Sequence, residues 1–119
     1  MADIRMGPAE TQFAEIIWSS EPIASGLLSK KAEEILNWKK TTSFTVLKRL
    51  CERGIFQNQN GIVTSLLSRE EFFARHSEAY VRDTFGGSLP AFLAAFSSRR
   101  KLSDGEIEEM KTLLEGMRR

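Results

Sequence analysis

The chain has 119 residues, 41% apolar and 28% charged, a composition that fits one domain or a small domain with an added helical arm. A net charge of +1 excludes a polycation, so any nucleic-acid surface has to come from local segregation of charge. The single cysteine, Cys51, excludes an intramolecular disulfide and fits a reducing compartment.

Gly7-Pro8-Ala9-Glu10 reads as a helix start, with Gly at the N-cap, Pro at the first helical position and an acid in the first turn. Phe13, Ile16 and Ile17 follow at helical spacing with Trp18 on the flank, and Pro22 breaks the helix. A second helix is predicted from Ser25 to Ile35 or Leu36, on the stripe Leu27, Leu28, Ala32, Ile35 and Leu36. The third covers residues 39–52 within NWKKTTSFTVLKRLCERG (37–54), and Gly54 is a natural residue to follow its end. Three short helices with tight connections, the last one basic, form a helix-turn-helix pattern.

Ile55-Phe56 and Ile62-Val63-Thr64 favour β structure, and Asn58-Gln59-Asn60-Gly61 between them carries the Asn-Gly turn signal. A hairpin directly after the third helix of such a unit is a wing. From Ser68 the pattern is helical again: Ser68 and Glu71 make a capping box, and Gly86-Gly87 ends that helix near Phe85. Ser88 caps a short helix bearing Leu89, Phe92, Leu93 and Phe96. Ser103 and Glu106 repeat the capping box before a last helix with Ile107, Met110, Leu114 and Met117 at coiled-coil-like spacing. The predicted fold is mainly α: a winged helix-turn-helix DNA-binding domain (1–67, three helices plus a short β-hairpin), then a helical dimerisation region (68–119).

Five of the eight phenylalanines lie after residue 70, and three helices in a line offer little surface to bury them. A second copy would cover them in a symmetric homodimer, through Phe72, Phe85, Leu89, Phe92, Leu93, Phe96, Ile107, Met110 and Leu114. The other reading folds these rings back onto the N-terminal unit.

Catalysis finds no residue set. His76 is the only histidine and reads as a helix-surface or interface residue; with no second His or Cys at ligand spacing, neither a metal nor another cofactor is expected. Gly86-Gly87 lacks the Lys-Ser/Thr of a phosphate loop, and the acid pairs Glu70-Glu71 and Glu108-Glu109 are explained by helix dipoles and solvation. The chain is therefore not expected to be an enzyme. No leader-like or membrane-length apolar run is present, so no membrane insertion and a cytoplasmic location are expected.

The third helix carries the signal. Its stretch holds Lys39, Lys40, Lys48, Arg49 and Arg53 against Glu52 alone. On a helical wheel Val46, Leu47 and Leu50 share one side with Ser43, whereas Thr41, Thr45, Lys48 and Glu52 fall on the other; Arg49 and Phe44 lie at opposite borders. Thr hydroxyls can bond phosphates or base edges, and Lys39 and Lys40 stand where phosphates meet a helix start. Any solvated helix face is polar, but threonine is a mediocre helix former and the basic cluster coincides with the third helix of a winged unit.

These segments resemble the penicillinase repressor family of winged-helix transcriptional regulators over nearly the full length. GPAETQFAEIIWSSEPI is similar to the family's opening, with an Ala-Glu pair, a Trp ending helix one and a Pro-Ile turn. The stretch 37–56 resembles its recognition helix at Trp38, Thr42, Thr45, Leu47, Arg49, Leu50 and Gly54. SREEFFARHSEAYVRDTFGGSLPAFLAAF is similar to its dimerisation segment, and KLSDGEIEEMKTLLEGM to its last helix. The resemblance implies a homodimeric repressor that binds an inverted-repeat operator in double-stranded DNA. Thr42 and Thr45 would face the major groove, and Lys39, Lys40, Lys48 and Arg49 would contact or flank phosphates.

The chain departs from the family pattern in four places. The wing reads GIVTSLL, without the family's Arg and two Tyr, and looks shortened. Lactam-responsive members are cut by a membrane sensor protease at an Asn-Phe bond in the dimer arm; Ala95-Phe96 stands there, which disfavours that partner and that route of induction. Copper-responsive members carry a C-terminal cysteine cluster, whereas no cysteine follows Cys51. Phe44 replaces a residue that is often polar in the family. The alternative expectation is a protein-interaction adaptor whose winged helix no longer holds DNA.

Overall fold

Helix α1 (Pro8–Ser20) begins as its sequence dictates. The Gly7 N–H donates to Glu10 Oε1 at 3.2 Å, and Thr11 Oγ1 donates back to the Gly7 carbonyl at 2.9 Å. Phe13, Ala14, Ile16 and Ile17 turn inward. The computed structural model describes residues 2–118, and in it α1 leads into a two-residue strand, β1 (Ile23–Ala24), which the sequence pattern did not announce. Two residues carry no readable period; the strand exists because it pairs with a distant partner.

Helix α2 (Ser25–Leu36) follows at once, burying Leu28, Ser29 and Ala32. Leu27 and Ile35, expected on its apolar stripe, face solvent instead. The inward arc is narrow and includes the small Ser29 and Ala32, which leaves the flanking large residues outside it. Asn37 ends the helix in the left-handed conformation, φ 58°. Its N–H bonds the Glu33 carbonyl at 3.1 Å and the Trp38 N–H reaches Ala32 at 3.3 Å, a closure that satisfies the last carbonyls. Trp38 then stacks on Phe13 with ring centroids 5.1 Å apart. This sets the starting point of α3 (Lys40–Glu52), whose Ser43, Val46, Leu47 and Leu50 are buried.

Strands β2 (Phe56–Gln59) and β3 (Ile62–Ser65) form the wing. Asn60 (φ 54°) and Gly61 (φ 82°) alone make the turn, the paired positive φ values of a type I′ hairpin. The expected four-residue turn is thus shortened, because Asn58 and Gln59 pair with Val63 and Ile62. The antiparallel sheet has the order β1-β3-β2, with Ile23 opposite Val63.

Helix α4 (Arg69–Phe85) opens on Ser68, whose Oγ accepts from the Glu71 N–H at 3.1 Å. The Glu71 carboxylate turns to Arg75, at 2.9 Å, so Glu71 serves an ion pair where the sequence suggested a reciprocal capping box. Phe72 is only 1% exposed and lies 5.4 Å from Trp18, whose indole N–H donates to the Leu67 carbonyl. Phe72 belongs with Phe13, Ile17, Leu28, Leu50, Ile55, Phe56 and Val63 in the first core. Its place in the expected dimer contacts is corrected accordingly: a ring enclosed within its own unit has no face left for a second copy. The same packing puts the end of the first compact unit at Ser77, inside α4, where the sequence reading divided the chain after Leu67.

The second unit, from Glu78, holds the end of α4 with α5 (Leu89–Arg99) and α6 (Asp104–Gly116). Ser88 Oγ accepts from the Ala91 N–H, and Ser103 and Glu106 form a complete reciprocal box at the start of α6. Tyr80, Phe85 and Phe92 meet edge to face, with Phe92 continuing to Phe96. Neither α5 nor α6 has a buried residue.

Candidate nucleic-acid interface

The sequence of α3 divides it into an anchored face and an open one. Val46, Leu47 and Leu50 are in the core, whereas Lys39, Lys40, Thr41, Thr42, Phe44, Thr45, Lys48 and Arg49 are all exposed. Lys39 stands at the N-cap with extended backbone and no side-chain cap bond, so the first-turn N–H groups meet solvent without a capping oxygen. Lys40 extends over the Phe44 ring, its Nζ 5.9 Å from the centroid. Among the described residues Lys39, Lys40 and Lys48 make no salt bridge.

Arg49 and Arg53 differ from those lysines. The Glu10 carboxylate on α1 takes Arg49 Nη1 at 3.2 Å and Arg53 Nη1 at 3.6 Å, while its other oxygen caps Gly7. Arg53 also donates to the Arg5 carbonyl, and its own carbonyl accepts the Asp3 N–H at 2.8 Å. One carboxylate thereby fastens the end of α3 to the start of α1 and to the N-terminal segment. Arg49, which the family resemblance places in contact with phosphates or beside them, is paired with Glu10. By sequence Glu10 is only a first-turn acid; nothing in its spacing signals partners 39 and 43 positions away.

Thr45 Oγ1 donates to the Thr41 carbonyl at 2.8 Å. Its hydrogen is committed, so toward a ligand it presents oxygen lone pairs and a methyl group. Cys51, half-buried, has its thiol pKa raised by desolvation and, secondarily, by Glu52, which keeps it a neutral packing group. The wing presents Asn58, Gln59, Asn60 and Ile62 to solvent and carries no charged residue between Phe56 and Ser65.

In the second unit Leu89, Phe96, Ile107 and Leu114 are exposed, and Phe85, Phe92, Leu93 and Met110 are half-buried. Leu113, omitted from the expected contacts because it falls outside the 3-4-3 seam, is the more open neighbour at 60% against 54% for Leu114. His76 stacks on Phe72 with centroids 5.7 Å apart, a packing role. Among the described residues no three His, Cys, Asp or Glu side chains converge as a metal site, and no helix is long and apolar enough to cross a membrane.

Comparison with known proteins gives a consistent result. The family model described as penicillinase repressor matches residues 6–116. The chain is 24% identical over 110 residues to the methicillin resistance regulatory protein MecI of Staphylococcus aureus, covering 89% of each chain. It is 22% identical over 115 residues to the penicillinase repressor of Bacillus licheniformis, covering 93% of this chain and 90% of that one. A MecI protein of Mammaliicoccus sciuri matches at 23% over 110 residues, 89% of each.

Proposed function

The chain belongs to the penicillinase repressor family, and from that premise we propose that it acts as a homodimeric, sequence-specific repressor binding an inverted-repeat operator through α3. The observation that carries this reading is the open face of α3, where Lys39, Lys40 and Lys48 lie exposed and without ion pairs around Thr41, Thr42 and Thr45. Unpaired cations at a helix start suit phosphates, which position a protein on the duplex, while short hydroxyl side chains one turn on suit base edges. The dimer is supported by the second unit, whose α5 and α6 bury no residue in a single copy and leave Leu89, Phe96 and Leu114 open. The wing, uncharged between Phe56 and Ser65, contributes no cation of its own to the electrostatic attraction.

The test is a salt-dependent titration of wild type and Lys48→Ala against duplexes selected from a random pool. Lys48→Ala should weaken binding at every sequence and lower the slope of log K against log salt by about 1. Thr45→Ala should cost discrimination more than overall affinity. Absence of salt-dependent binding to any duplex would overturn the reading and leave a protein-interaction role as the alternative.

A further inference from the structure

Phe44 sits where a core residue has no business and a surface residue no obvious reason. It lies at the border of the open side of α3, the residue 36% exposed, one turn after Lys40 and one turn before Lys48. Residues at such four-position intervals form a row along one side of a helix, so an aromatic ring stands between two exposed cations. Lys40 covers part of the ring. Beside the ring, between α3 and β2, a cavity of about 390 Å³ is lined by Phe44, Leu47, Lys48, Cys51 and Asn58. The row thus has an apolar centre with open space next to it, and charge at both ends.

The chemistry of a major groove narrows what such a centre can meet. Guanine, adenine and cytosine offer donors and acceptors there, which a phenyl ring would desolvate without replacing. The thymine 5-methyl is the one apolar group on the groove floor. On the reading that α3 enters the major groove, we infer that Phe44 is a specificity-determining residue that selects thymine at one position of each half-site by packing on its 5-methyl group. Lys40 and Lys48 hold the backbone on either side and so fix the height at which the ring meets the base. Thr45 is the nearest competitor for this role, through its own methyl, and the two are separable by experiment.

Duplexes would first be selected from a random pool with the full-length wild-type protein, and each thymine of the selected half-site then replaced singly by deoxyuridine. That change deletes only the methyl. At one position per half-site it should weaken wild-type binding about fourfold, the worth of one buried methyl. Phe44→Ala should bind thymine and uracil duplexes equally at that position, keep the wild-type response to uracil elsewhere, and stay fully folded at the assay temperature, with a small drop in thermal unfolding midpoint because the residue is partly covered. Thr45→Ala should preserve the uracil effect at the Phe44 position. Uracil neutral at every position, or a uracil effect that survives in Phe44→Ala, overturns the assignment while leaving DNA binding intact. No enrichment in the initial selection overturns the DNA-binding reading itself.

Discussion

Ser43 is the one described side chain whose polar atom is buried without a partner. It lies on the anchored face of α3, 2% exposed, beside the aliphatic positions 46, 47 and 50. A buried hydroxyl that makes no hydrogen bond forfeits its hydration for nothing, a loss of about 1–3 kcal/mol. Ser43→Ala removes the oxygen at little change in volume and should raise stability in urea unfolding by about 1 kcal/mol. A less stable variant would mean that the hydroxyl finds a partner, such as an ordered water. The same scale marks the limit of sequence reading. That Ser43 falls inward was legible from the helical period; that it goes unpaired was not, since satisfaction depends on neighbours from other elements. Glu10 makes the same point, because its pairing with Arg49 and Arg53 arises only when α1 and α3 are packed.

At the scale of elements, helix starts are the most legible feature because their signals are local: Gly7-Pro8 opens α1, Ser88 caps α5 and the Ser103–Glu106 box starts α6, as their sequences indicate. Strand β1 has no sequence signal, and the wing turn is two residues shorter than its sequence suggests, because pairing with a distant strand decides both. The α6 cap also has a pH signature. Glu106 is held below the usual carboxylate range, first by the Ser103 backbone N–H and further by Arg100 at 3.0 Å. A pKa lowered in the folded state contributes stability above the unfolded value of about 4.3 and loses it as pH falls through the folded value. Acidification should therefore lower the helix signal in far-ultraviolet circular dichroism of the full chain. Glu106→Gln keeps the capping geometry but cannot titrate, so the acid-induced loss should be smaller in that variant. An identical profile in both proteins would refute the role of this carboxylate.

For the whole molecule, the two units differ in how they achieve burial. The first encloses Phe13, Phe56 and Phe72 completely, while the second leaves Leu113, Leu114 and Met117 mostly open. A repressor of this architecture would separate reading from pairing along its chain. Leu114→Asp puts a charge into the proposed pairing surface and should turn a dimer into a monomer by light scattering, with operator affinity falling by on the order of a hundredfold as the two half-sites lose their linkage. Monomeric wild type at micromolar concentration would refute the pairing. Phe72→Ala should instead destabilise the first unit by about 3–5 kcal/mol, because it empties a core position. A Phe72→Ala protein that stayed equally stable but lost self-association would return that ring to the pairing surface.

The hairpin that follows α3 is fastened at both flanks of its central strand. β3 pairs with β1 as well as β2, and the Ser25 N–H at the start of α2 donates to the Gly61 carbonyl in the turn at 2.8 Å. A loose wing must surrender its freedom when it meets a ligand, and that entropic loss subtracts from affinity. Here the turn is already tied to the body of the unit by the Ser25–Gly61 bond and by β1, so less freedom is left to lose on an encounter. Amides bonded across the β2–β3 ladder should consequently exchange slowly along its whole length, and partner binding should change them little.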